Sequence, residues 1–102
     1  MREETETEPG SRAESETLAL YFYPSCGFCR RVLQAMDELG VEVELRDITR
    51  DRQAFQDLMA ARGRPTVPVL RRTTSSEDHW MPESADIIRW LRQRFAGKSG
   101  YT

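Results

Sequence analysis

Six consecutive apolar or aromatic residues, Leu18-Ala19-Leu20-Tyr21-Phe22-Tyr23, constrain this chain more than any other stretch. The run shows neither helical spacing nor the alternation of a strand with one wet face. It is far too short to span a bilayer. It therefore reads as a central strand buried on both faces, the pattern found where helices cover a sheet from two sides. A chain of 102 residues has room for one such core.

The residues that follow supply the cover. Pro24-Ser25 ends the strand, and Phe28, Val32, Leu33, Met36 and Leu39 then recur at helical spacing up to a stop at Gly40. Val41-Glu42-Val43-Glu44-Leu45 alternates with period two, as a half-exposed strand does. Thr49 or Asp51 can cap a second helix, with Ala54, Phe55, Leu58 and Met59 as its apolar stripe and Gly63 as its end. Thr66-Val67-Pro68-Val69-Leu70 reads as a strand despite its proline, which is tolerated at a sheet edge or a strand's start. A turn at Thr73-Thr74-Ser75-Ser76 leads to a short strand near His79-Trp80-Met81. Ser84 then caps a helix carrying Ile87, Ile88, Leu91 and Phe95. The predicted order is β-α-β-α-β-β-α, an α/β fold of a mixed four-stranded sheet flanked by three helices. This is what a minimal thioredoxin-type fold requires.

Directly after the first strand stands Cys26-Gly27-Phe28-Cys29, which holds the chain's only two cysteines. A helix N-terminus brings sulfurs at this spacing within bonding reach. Its unpaired N–H groups and positive dipole end also favour a thiolate. That chemistry is thiol–disulfide exchange. A structural zinc site is not expected, because two cysteines and the lone His79 cannot supply four ligands. Cys26 is expected to be partly exposed, with Cys29 one turn further in and more buried.

Composition bounds the setting. The net charge of −2 is uneven: six glutamates stand against Arg2 and Arg12 in residues 1–17, which leaves the remainder mildly basic. Residues 1–16 have almost no apolar side chain and read as a disordered acidic leader, with 97–102 as a flexible tail and 17–96 as the domain between them. Basic residues scattered along the sequence give no reason to invoke nucleic acid. The N-terminus has no apolar signal-like core, so a cytoplasmic location is expected, where structural disulfides are rare.

From Thr17 to Phe95 the chain resembles glutaredoxins, through the apolar strand, Cys26-Gly27-Phe28-Cys29 and Thr66-Val67-Pro68 in the family's order and near its spacing. Pro82-Glu83-Ser84-Ala85-Asp86-Ile87-Ile88 looks instead like the N-terminal domain of glutathione transferases, where a Glu-Ser pair at a helix start holds the γ-glutamyl end of glutathione. The Gly-Gly-x-Asp-type sequence of most glutaredoxins is absent. Tyr23 stands where many of them carry Lys or Arg. Gly27-Phe28 replaces the usual Pro-Tyr, as in the Cys-Gly-Phe-Ser of monothiol glutaredoxins, with Cys29 in place of Ser.

The resemblance implies a thioredoxin-like (glutaredoxin) fold and glutathione as co-substrate, with no metal. It makes Cys26 the nucleophile and Cys29 the resolving thiol. Tyr23 and Phe28 would line the glutathione groove, and Arg64 would meet the glycine carboxylate. Val67, before a cis Pro68, would offer its backbone to an extended peptide, and Glu83 and Ser84 would hold the γ-glutamyl end. The expected activity is reduction of protein disulfides and glutathione mixed disulfides by a monomer that touches neither nucleic acid nor membrane. Two alternatives stand beside it. One is a [2Fe–2S] cluster held with glutathione through Cys26 of two subunits. The other is a non-catalytic glutathione-binding module.

Overall fold

The computed structural model describes residues 16–95. Leader residues 1–15 and the tail beyond Phe95 lie outside them. The elements are β1 (Thr17–Phe22), α1 (Gly27–Leu39), β2 (Glu44–Asp47), α2 (Arg52–Arg62), β3 (Val69–Thr73), β4 (Asp78–Pro82) and α3 (Ser84–Phe95). They form one sheet in the order β2-β1-β3-β4. β2 runs parallel to β1, with Leu45 opposite Leu20, and β3 runs antiparallel to it, with Leu70 opposite Leu20. β4 returns antiparallel to β3. Among the described residues no helix is long and apolar enough to cross a membrane.

β1 is central and feeds two cores, because successive side chains of a strand point to opposite faces. Leu18, Leu20 and Phe22 pack with Val32 and Met36 of α1, Leu70 of β3, and Ile87 and Leu91 of α3. Ala19 and Tyr21 face the other way and pack with Ile48, Val69 and the α2 residues Ala54 and Leu58. The unbroken apolar run in the sequence thus corresponds to a strand with no wet face.

Three boundaries differ from the sequence expectation. β2 starts at Glu44 rather than Val41. The chain first has to close α1, with Gly40 at φ 68° and the Val41 N–H donating to the Met36 carbonyl at 3.2 Å. β1 offers pairing partners only from Ala19 opposite Glu44 onward, so Val41 and Val43 pack on the α1-side core instead. β3 starts at Val69, just past Pro68, since a proline has no N–H for an internal ladder. α3 begins at Ser84 itself, and the residue before it holds the cap position: the Glu83 carbonyl accepts from the Ile87 N–H at 3.0 Å. Of the two capping residues considered for α2, Asp51 is the one used, accepting from Gln53 and Ala54 at 3.0 and 3.2 Å.

A guanidinium network ties the sheet together on the α2 side. Arg71 of β3 donates to both oxygens of Asp78 on β4, at 2.8 and 3.0 Å, and to the Tyr21 hydroxyl at 3.1 Å. It also lies over the Trp80 ring, 4.6 Å from the centroid. Arg46 of β2 reaches the same hydroxyl at 3.5 Å and the Asp51 carboxylate at 3.3 Å. One phenol, fully buried as a residue, is thereby held from both flanks of β1. Glu16, assigned by sequence to the leader, belongs to the body: its carboxylate pairs with Arg72 of β3 and Arg94 of α3.

These contacts make stability depend on acid. The hydrogen bond from Arg71 holds the Asp78 carboxyl below its ordinary range. Burial would push Glu16 up, but hydrogen bonds from Arg72 and Arg94 outweigh it and hold that carboxyl down as well. A carboxyl depressed in the folded state contributes fully above its unfolded value, about 4, and the contribution is lost as pH falls through the folded value. Thermal unfolding followed by circular dichroism should therefore show a constant Tm above about pH 5 and a falling one toward pH 3. Asp78→Asn should lower Tm at pH 7 and make the acid-induced fall shallower.

Candidate active site

Both cysteines sit where β1 hands the chain to α1. Cys26 is the residue capping α1, with extended backbone (φ −82°, ψ 119°), and its sulfur accepts the Cys29 N–H at 3.3 Å. The Cys26 N–H donates to the Tyr23 carbonyl at 3.2 Å, which fixes the turn from below. The two thiols are free. Cys26 is more enclosed than expected, at 8% exposure, because it packs into the α1-side core with Phe22 and Val32; Cys29 is fully buried at 0%. Gly27 faces open space, so a Cβ added there would meet nothing within 4 Å.

Burial sets the protonation order. It pushes the Cys29 thiol up to about 12, helped by its hydrogen bond with Cys26 and offset only in part by a backbone hydrogen bond from Tyr23. Cys29 thus keeps its proton throughout the neutral range. Cys26 lies outward of it, at the helix cap, with its sulfur accepting a helix N–H.

A cleft of about 270 Å³ opens beside the turn, and it gathers residues that are far apart in sequence. Phe28 from α1, Arg64, Val67 and Pro68 from the α2–β3 connection, and Glu83 and Ser84 from the start of α3 all line it. The Val67–Pro68 peptide is cis. Val67 also packs against both cores, one of which contains Cys26 and Cys29. Tyr23 is not among the lining residues: it is half-buried and wedged against both cores, because its position follows directly on β1. Arg62, Thr66 and Pro82 also line the cleft and were not singled out by sequence. Arg62, one residue before the Gly63 that ends α2, could have been found from its closeness to Thr66-Val67-Pro68.

Glu83 is the only described non-glycine residue with positive φ, at 75°. A side chain in that region costs about 1–2 kcal/mol. In this conformation Glu83 lines the cleft while its carbonyl starts α3. The N–H groups of the first turn of α3 have no helical acceptor and face the same end, which makes this an anion-favouring terminus.

A mixed sheet with a Cys-x-x-Cys helix start and an X-cis-Pro connection beside it defines a thioredoxin-like α/β domain. Residues 20–99 match the family model described as glutathione S-transferase, N-terminal domain, and the chain belongs to that family. The gene 56 protein of Mycobacterium phage D29 is 34% identical over 68 residues, 64% of this chain and 67% of its own. The maleylacetoacetate isomerase of Anaeromyxobacter dehalogenans 2CP-1, solved with GSH bound in the active site, is 30% identical; it superposes with a TM-score of 0.63 over 81% of this chain and 39% of that one. Glutathione transferase Omega 2S from Trametes versicolor shares the fold, with a TM-score of 0.66 at 19% identity, and 38% of its length is covered. The chain thus spans about two fifths of these solved structures. The family match corresponds to the resemblance carried by Pro82–Ile88 and does not extend to glutaredoxins in particular.

Two outcomes follow from this geometry. Iodoacetamide at pH 7–9 should label Cys26 alone in the folded chain, with Cys29 labelled only after unfolding, as peptide mass spectrometry would read. Glu83→Gly should raise stability by about 0.5–1 kcal/mol, a few degrees in Tm, by relieving the positive φ, whereas Glu83→Val should lower it.

Proposed function

We propose that this chain is a glutathione-dependent thiol–disulfide oxidoreductase that works through the Cys26 thiolate. The observation that carries the reading is the pairing of a helix-capping Cys26 with a buried, protonated Cys29, beside a cleft formed by Val67-Pro68 and Glu83-Ser84. The GSH bound in the active site of the 30% identical isomerase supports glutathione as the ligand.

The cleft's chemistry suits that tripeptide. The first-turn N–H groups of α3 and the Ser84 hydroxyl would take the γ-glutamyl carboxylate, and Glu83 the neighbouring ammonium. The backbone of Val67 would pair with the cysteinyl residue as an added strand. Arg64 would meet the glycine carboxylate as a charge-assisted pair.

The cycle balances without further reagents. Cys26 thiolate attacks the glutathionyl sulfur of a protein–glutathione disulfide, forming a Cys26–glutathione disulfide and releasing the protein thiolate, which takes a proton from water. A second glutathione thiolate attacks that disulfide at the glutathionyl sulfur. This restores Cys26 and yields oxidised glutathione, so one incoming glutathione sulfur is oxidised for each protein cysteine reduced, the other sulfur having entered already oxidised in the mixed disulfide. Alternatively Cys29 displaces glutathione and leaves a Cys26–Cys29 disulfide. Exchange rates rise with the thiolate fraction of the attacking sulfur, so a thiol held near 12 is a slow attacker. The glutathione-only route is therefore the faster one for mixed disulfides.

The test is glutathione-dependent reduction of a mixed disulfide by the unaltered chain, Cys26→Ser and Cys29→Ser. Cys26→Ser should lose at least about 100-fold in rate. Cys29→Ser should keep most of the activity, with an unchanged pH profile between pH 6 and 9. An inactive unaltered chain, or full activity in Cys26→Ser, would overturn the reading.

A further inference from the structure

The arginines fall into two sets. Arg46, Arg50, Arg71, Arg72, Arg89 and Arg94 each have a carboxylate within ion-pair distance. Arg30, Arg31, Arg52, Arg62, Arg64 and Arg92 have none among the described residues. Five of these six lie on α1 after Cys29, in the cleft, or in the groove next to it. Arg30 and Arg31 follow Cys29 on α1, and Arg62 and Arg64 line the cleft. Arg92 lies on α3, in a groove of about 460 Å³ that Arg31, Ser84, Ala85, Ile88 and Arg89 also line. In the folded chain, Arg31 and Arg92, far apart in sequence, line one groove.

Groove and cleft adjoin at Ser84, which lines both. The Arg31 guanidinium lies 5.9 Å from the centroid of the Phe28 ring, and that ring, 59% exposed, forms part of the cleft wall. The acidic residues along this track are Glu83, which lines the cleft, Asp86, already paired with Arg89 at 3.0 Å, and Glu38, which lines a neighbouring hollow with Arg31 and Arg92 but forms no ion pair with either. An extended peptide with its cysteine at Cys26 would leave the cleft over Phe28 and Ser84. Its next residues would meet an apolar floor at Ala85 and Ile88, flanked by the guanidiniums of Arg31 and Arg92.

We propose that this α1–α3 groove selects the protein substrate, so that the chain acts on disulfides and glutathionylated cysteines flanked by acidic residues, whose carboxylates pair with Arg31 and Arg92. This rests on the oxidoreductase reading and adds its substrate class. Guanidiniums match carboxylates two bonds at a time, and unpaired charges at a rim steer charged partners on approach. An acidic peptide fits better than nucleic acid. Phe28 is the one large exposed aromatic along the track, too few for a stacking platform.

The test uses the full chain and peptides with one glutathionylated cysteine flanked by Glu, Ser or Lys. Reduction of the mixed disulfide of glutathione and 2-mercaptoethanol reports on the oxidoreductase reading alone. Fluorescence anisotropy of the same peptides with Cys26→Ser reports on docking alone, so the two can fail separately. The Glu-flanked peptide should exceed the Lys-flanked one by about tenfold in kcat/KM and in affinity at 50 mM salt. At 500 mM that preference should shrink to about twofold, since screening shortens the reach of exposed charges. Arg31→Glu and Arg92→Glu should each reduce the Glu-to-Lys ratio, and together invert it. Equal affinities for the three peptides, or a ratio that neither salt nor the variants move, would overturn the proposal. So would an oligonucleotide of matched charge binding as tightly as the acidic peptide.

Discussion

The structure depends on β1 having no face left for water. Leu18, Leu20 and Phe22 require cover from α1 and α3, and Ala19 and Tyr21 require it from α2. Each large side chain buried in this way contributes about 1.5–3 kcal/mol, so the strand cannot be re-registered without giving up one core or the other. The phenol of Tyr21 is the polar exception inside this arrangement. It is satisfied by guanidiniums from the strands on either side, Arg46 and Arg71, so that the sheet's order is held by charge-assisted bonds as well as by packing.

The cysteine turn inherits its asymmetry from that strand. β1 ends at Phe22, and the chain must turn within a few residues for α1 to run back over the same face. Cys26 falls at the helix cap and Cys29 one turn deeper, against the residues that cover β1. The difference between the thiols is therefore one of depth. The inner one is pushed up by burial, and the outer one accepts the helix N–H.

Much of this was legible in the chain because the relevant signals are local. The run Leu18–Tyr23, the stops at Gly40 and Gly63 and the Cys-x-x-Cys spacing each report on a few neighbouring residues, and element order and type follow from them. What was misjudged depends on contacts across the fold. Val41–Leu45 alternates as a strand should, yet β1 provides partners only from Ala19 onward, and residues 41–43 serve the core instead. Ser84 has the side chain of a cap, but the backbone assigns the cap to Glu83 at positive φ, which no propensity would suggest for a glutamate. Tyr23 looked like a groove residue by alignment of motifs and is held between the two cores by its place after β1. Arg62 joins the cleft only once α2 has brought its end beside Pro68.

The arrangement of arginines shows the same dependence on the fold, and stability does not account for it. An exposed ion pair contributes about 0–1 kcal/mol, so folding gains little by pairing a surface arginine and loses little by leaving it alone. The paired arginines nonetheless include the two that hold the central sheet, Arg46 and Arg71, while Arg62 and Arg64 in the cleft and Arg31 and Arg92 in the groove beside it converge with no carboxylate of the described residues at ion-pair distance. What that convergence changes is the potential at the cleft, where a thiolate and the carboxylates of a peptide are all favoured by nearby positive charge. The residue type that stabilises the sheet thus recurs at the cysteine end in a different role, and the difference lies in where the fold supplies a carboxylate and where it withholds one.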